Sequence, residues 1–75
     1  MPEPAVEVFR TTVARRAAAG LLQQLRARFP ACRITFDLAD VDRILRIQTT
    51  GAPIDAARVA QLVHASGFCC EVLPD

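Results

Sequence analysis

Several residue types that catalysis depends on are scarce in this chain of 75 residues, which has no lysine, one histidine and three glycines. A phosphate-binding loop needs closely spaced glycines, and three glycines along the whole chain cannot supply them. The single histidine, His64, is accompanied by no serine in a sharp glycine turn and by no close acid–base pair. We therefore predict that the protein is not an enzyme, with no catalytic residues and no cofactor.

Cysteine is also scarce, since Cys32 stands alone and Cys69 and Cys70 are adjacent. An odd number of cysteines is not a disulfide framework, so we expect free thiols in a reducing compartment. The first four residues lack the basic and apolar regions of a signal peptide. No apolar run approaches the roughly 20 residues of a membrane helix. These features predict a cytoplasmic protein with no membrane partner.

Neither sign of charge is in excess, because nine basic residues, all arginines, oppose eight acidic ones. The arginines are interleaved with acids along the chain, so nucleic acid is not an expected partner. Apolar residues are abundant instead, at 52% of the chain, which is enough for a packed core. The length allows one domain, which we expect over residues 5–75 after a frayed lead-in of residues 1–4.

Hydrophobic periodicity divides the chain into six elements. Alternation of apolar and polar residues predicts strands over 5–11, 32–38, 43–49 and 68–73. Apolar spacings of three and four predict helices over 12–29 and 54–66, with Thr12 as an N-cap candidate and Gly67 at a C′ position. Two right-handed crossovers then give a four-stranded antiparallel sheet in the order 4-1-3-2, with both helices on one face. This is an α+β, ferredoxin-like βαββαβ arrangement.

The second half of the chain carries a family resemblance in the stretches ITFDLADVDRILRIQ, IDAARVAQLVHASGF and CEVL. These resemble heavy-metal-associated (HMA) domains, the fold of copper chaperones and of domains in metal-pumping ATPases. The first half is similar in periodicity, through Leu21, Leu25 and Phe29. The resemblance implies the ferredoxin-like fold, and it implies that any ancestral metal site lay in a Met-x-Cys-x-x-Cys loop between strand 1 and helix 1.

That loop departs from the family pattern, because residues 11–17 read TTVARRA and contain no cysteine, histidine, methionine or carboxylate. Hydroxyl and methyl groups cannot replace the thiolates that bind soft metal ions. We therefore predict a degenerate HMA-like domain without the family metal site. Its expected role is that of a non-catalytic interaction or regulatory module.

An alternative function is copper or zinc binding by Cys69 and Cys70, with His64 as a third candidate ligand. In the predicted fold these residues lie near the altered loop. Consecutive strand residues point to opposite faces, so both sulfurs converge on one ion only if the strand begins after Cys69. The simpler interpretation is that Cys70 packs inward with Val72, while Cys69 is an outward thiol without a role.

The face of the sheet away from the helices is the predicted interaction surface. We assign to it Phe9, Ile44, Leu73 and Arg46, and we expect it to bind an unidentified protein or a second copy of the chain. The register of strand 1 stays open, because an inward Val8 would turn Phe9 outward and the reverse register would do the opposite. RNA-recognition motifs share this element order but need aromatic residues on central strands, which strand 3 lacks. A monomer with a few surface apolar residues is the alternative.

Overall fold

Six elements follow one another in residues 4–50 and 53–73, the part of the chain that the computed structural model describes. They are β1 (Pro4–Thr11), α1 (Arg15–Arg28), β2 (Arg33–Asp37), β3 (Ile44–Thr50), α2 (Ala56–Ala65) and β4 (Cys70–Val72). The predicted order is confirmed, although α1 begins three residues later than expected and β1 already includes Pro4. The rest of the predicted lead-in, the glycine of the β3–α2 loop and the final proline lie outside the described residues.

The four strands form one antiparallel sheet in the order β2-β3-β1-β4. Viewed from its other edge, this is the predicted order 4-1-3-2. β1 lies in the centre, pairing with β3 from Pro4↔Thr50 to Phe9↔Leu45 and with β4 through Thr11↔Cys70. The protein is therefore of the α+β class, with β2 and the short β4 at the two edges of its sheet.

One hydrophobic core fills the space between this sheet and the two helices. The strands contribute alternate residues, because every second side chain points to the same face. The helices contribute residues three or four positions apart, which share one helical face. The core consists of Phe9, Val13, Ala18, Leu21, Leu25, Ile34, Leu45, Ile47, Val59, Val63 and Cys70. Both helices therefore cover the same side of the sheet and leave the other side open.

Phe9 corrects one prediction, because it is fully buried in this core and is not part of the open face. Its strand partner is Leu45, and directly paired residues on neighbouring strands point to the same side of a sheet. Leu45 lies under the helices, so Phe9 does too. The open register of β1 is thereby decided: Val8 and Val6, which is 47% exposed, occupy the open face.

The helix ends show a second difference from expectation. Ala14, not Thr12, is the N-cap of α1, and its side chain caps nothing. α2 begins at Ala56, two residues later than predicted, and its N-cap Asp55 accepts a hydrogen bond of 3.2 Å from the Arg58 backbone N–H. It ends at Ala65 with Ser66 as C-cap, and Gly67 follows at the predicted C′ position, where its φ of +93° lies in the left-handed region that favours glycine.

Candidate functional site

The corner between β1 and α1, where HMA domains hold metal, is closed by hydrogen bonds in this protein. The buried hydroxyl of Thr11 donates to the Arg43 carbonyl at 2.7 Å and accepts from the Val13 N–H at 3.2 Å. The Thr11 N–H donates to the Asp42 carbonyl at 3.0 Å. This threonine thus joins the end of β1 to the start of β3 and shapes the loop between them.

Arg43 closes the same corner from the β2–β3 hairpin. Its guanidinium donates to the Val13 carbonyl at 3.1 Å, and its own N–H donates to the Asp40 carbonyl at 3.1 Å. Its φ of +46° lies in the left-handed region, which costs a residue other than glycine on the order of 1 kcal/mol. The fully buried Val13 side chain fills the space beneath the loop. An apolar plug with paired backbone groups offers no ligand to a metal ion.

The other side of the corner is tied to the segment before β4. The Thr12 N–H donates to the Cys69 carbonyl at 3.2 Å, and the Cys69 N–H donates to the Thr12 hydroxyl at 2.8 Å. This reciprocal pair explains why Thr12 does not cap α1, because its hydroxyl is already used as an acceptor. It also holds Cys69 at the predicted place, beside the altered loop.

The three residues named as candidate metal ligands line one open groove of about 610 Å³. His64 and Cys69 are exposed, whereas Cys70 is buried under the helices. Burial raises the pKa of the Cys70 thiol to about 11, so this sulfur stays protonated at neutral pH and is a poor ligand. No three histidine, cysteine or acidic side chains among the described residues are grouped as a metal site would require.

Cys32 cannot complete that group. It precedes β2, which is the edge of the sheet opposite β4. All three cysteines are free thiols, and Cys69 is the one that is exposed. Any chemistry of a soft ion in the groove would therefore rest on Cys69, with His64, Asp42 and the Arg10-paired Glu71 as the other exposed or half-buried ligand groups there.

The open face of the sheet carries a mixture of apolar and cationic side chains. Of the residues predicted for it, Ile44 and Leu73 are half-buried and Arg46 is exposed. Val8, which was predicted only as an alternative to Phe9, lies opposite Arg46 on the next strand. Within the described chain Arg46 forms no ion pair, whereas Arg10 pairs with Glu71 at the far side of the face.

A second groove, of about 410 Å³, lies where the end of α1 approaches α2. It is lined by Arg28, Phe29, Arg58, Gln61, Leu62 and Ala65. Arg58 lies 3.7 Å from the Asp55 carboxylate, so one of its two arginines is already paired. These side chains include no nucleophile and no general base.

Comparison with known proteins assigns no family. No family model, no curated protein and no solved structure matches the chain. Among the described residues, neither helix has the length and apolar character that crossing a membrane requires. What the protein does must therefore be argued from its own surfaces.

Proposed function

We propose that this protein is a non-catalytic interaction or regulatory module of the cytosol, and that it binds another protein through the open face of its sheet. We propose further that its fold is ferredoxin-like and that it is similar to an HMA domain that has lost its metal loop. The partner is a different protein or a second copy of this chain. Neither nucleic acid nor membrane is proposed as a partner.

The observation that carries this proposal is the composition of the uncovered face. Val6 and Val8 lie side by side along the central strand β1, and Ile44 and Arg46 lie on β3 next to it. These apolar residues surround Arg46, which has no carboxylate partner in the described part of the chain. This composition matches that of protein interfaces, which are enriched in arginine. Covering these residues would bury apolar surface and pair a free cation.

The closed β1–α1 corner supports the same proposal by weakening its main competitor. In the HMA family this corner works as the metal site, but here its backbone groups are paired and Val13 fills its interior. The remaining surfaces are two grooves without an acid–base constellation and the open face. Of these, the face carries apolar side chains that remain exposed or half-buried, which a protein partner could cover.

A photo-reactive amino acid placed on the face tests the proposal inside the cells that make the protein. We would place it at Gln48, which is exposed on β3, and use Gln24, which is exposed on α1, as the matched control position. The proposal predicts adducts of defined mass from position 48 and none from position 24. The mass of each adduct tells a second copy from a different protein.

A disrupting variant completes the test. Ile44→Asp places a charge on the face, at the first residue of β3, and is expected to abolish the adducts, while Ala57→Asp on the exposed side of α2 is expected to leave them unchanged. The solution mass of the Ile44→Asp variant beside that of the parent shows whether the face also mediates self-association. Equal adducts from positions 48 and 24, or adducts that survive Ile44→Asp, contradict the proposal.

A second candidate function is binding of a soft metal ion, copper or zinc, in the groove beside the corner. The observation in its favour is that His64 and Cys69 are both exposed there. The raised pKa of Cys70 counts against a site with two thiolates. Titrating Cu(I) against a competing chelator decides it, because only a real site binds the ion more tightly in the parent than in Cys69→Ser.

A further inference from the structure

The edge strand β2 has a sequence that is complementary to itself. We propose that the β2 strands of two copies of this chain pair antiparallel about a two-fold axis at Thr35, which joins two four-stranded sheets into one of eight strands. This dimer does not depend on the proposed partner surface, because it uses the edge of the sheet and not its open face.

The charges of β2 are complementary between two antiparallel copies. The strand reads Arg-Ile-Thr-Phe-Asp from Arg33 to Asp37, with an exposed cation at one end and an exposed anion at the other. A two-fold axis at the middle residue places Arg33 of each copy opposite Asp37 of the other. Opposite charges in directly paired positions stabilise antiparallel strands, and here the symmetry forms the pair twice.

The backbone groups of β2 at the free edge also fit this pairing. In a paired strand the N–H and C=O of one residue point to the same side, and successive residues alternate. The Ile34 carbonyl accepts from the Arg26 guanidinium of α1 at a long 3.4 Å, and the Cys32 N–H donates to Phe29 at 3.0 Å. Both bonds point away from β3, so even-numbered residues of β2 face the edge. Ile34 and Phe36 then bond reciprocally to Phe36 and Ile34 of the other copy, and the Phe36 N–H of that copy takes the place of the Arg26 guanidinium at the Ile34 carbonyl.

The side chains under the edge agree with this pairing. Ile34 is buried, whereas Phe36 is only half-buried at the margin of the core. Pairing brings each Phe36 against the other copy on the helix side, where its remaining apolar surface is covered. The opposite edge offers no such strand, because β4 has three residues against the five of β2.

A new cysteine at the symmetry axis tests the geometry. In this pairing the two Thr35 residues form a non-hydrogen-bonded pair with Cα atoms about 4.5 Å apart, within the range that a disulfide spans. We would make Thr35→Cys in a background with Cys32→Ser and Cys69→Ser, and use Gln48→Cys as the control. Two sheets packed face to face lie about 10 Å apart, so a face-to-face dimer holds the two Thr35 positions farther apart than edge pairing does and forms the Thr35→Cys bond less readily.

The expected result is a covalent dimer of Thr35→Cys at micromolar protein under mild oxidation, and much less dimer of Gln48→Cys. Charge reversal sharpens the test. Arg33→Asp should lower the rate of cross-linking by about tenfold, Asp37→Arg should do the same, and the two together should restore it, because the pair is then swapped.

Circular dichroism checks that each variant is folded, which matters most for Asp37→Arg because Asp37 also accepts a hydrogen bond from the Ala39 N–H at 3.2 Å. If that variant unfolds, the effect of Arg33→Asp on the rate of cross-linking still tests the charge pair. Equal cross-linking of Thr35→Cys and Gln48→Cys overturns the dimer. If Arg33→Asp leaves the rate of Thr35→Cys cross-linking unchanged, the proposed register of Arg33 opposite Asp37 is wrong. Val6→Asp, which places a charge on the open face of β1 two strands away from the β2 edge, should leave the Thr35→Cys bond unchanged, and this separates failure of this dimer from failure of the partner surface.

Discussion

Thr11→Val is the substitution that tests the closed corner most sharply. Valine has nearly the shape of threonine, so the change removes the hydroxyl and adds no cavity. Two hydrogen bonds are lost, one of 2.7 Å to the Arg43 carbonyl and one of 3.2 Å from the Val13 N–H. Val13 is fully buried, so its N–H is left without water or protein partner. A buried group left unsatisfied costs about 1–3 kcal/mol.

We therefore expect Thr11→Val to lower the free energy of unfolding by about 2 kcal/mol, which for a domain of this size lowers the melting temperature by roughly 10 °C. Urea denaturation followed by circular dichroism measures it. Thr49→Val is the matched control, because Thr49 is equally buried at 4% exposure and its hydroxyl takes no part in the hydrogen bonds of the corner. Thr11→Ser keeps the hydroxyl and should recover much of the loss. A Thr11→Val variant as stable as Thr49→Val would refute the role given to the corner.

Two further predictions concern the backbone and the buried thiol. Gly67→Ala should destabilise the protein by about 1 kcal/mol, because φ at this position is +93°. Gly20→Ala, inside α1 with open space around it, should stabilise the protein by up to about 1 kcal/mol. Thermal melts of both variants check these two changes. The pKa of Cys70 is raised from 9.0 to about 11, so the unfolded chain loses this proton first and stability should fall as the pH rises from 9 toward 11. The slope is at most about 1.4 kcal/mol per pH unit, and urea denaturation at several pH values should show it in the parent but not in Cys70→Ala.

The element order was predictable because each element has a clear period. α1 places Leu21 and Leu25 one turn apart, and β3 alternates Leu45 and Ile47 with polar residues. Pairing, order and class then follow from the rules for short right-handed connections. These features depend on local patterns, which a sequence displays directly.

The features that could not be predicted depend on contacts between distant residues. β1 has apolar residues in both registers, Val6 and Val8 in one and Phe9 in the other, so only pairing with Leu45 decides which set is buried. Glu7 shares the core side of β1 and remains half-buried, which blurs the pattern further. Thr12 looked like a helix cap until Cys69, 57 residues away, took its hydroxyl.

The corner between β1 and α1 also has one feature that the sequence predicts and one that it does not. The absence of thiolates from residues 11–17 was visible in the sequence. The hydrogen bonds that hold the corner were not, because Arg43 reaches it from a hairpin 30 residues away. A left-handed arginine gives no signal in composition or periodicity. Only the three-dimensional contact shows that the loop is held by a side chain from another element.

Native mass spectrometry of the protein, purified from cells under reducing conditions, tests the central claim most directly, because one spectrum reports both bound metal and assembly. The account predicts chains without stoichiometric copper or zinc, present as dimers or in complexes with another protein. A monomer that carries one copper or zinc ion, and loses it on Cys69→Ser, would contradict it.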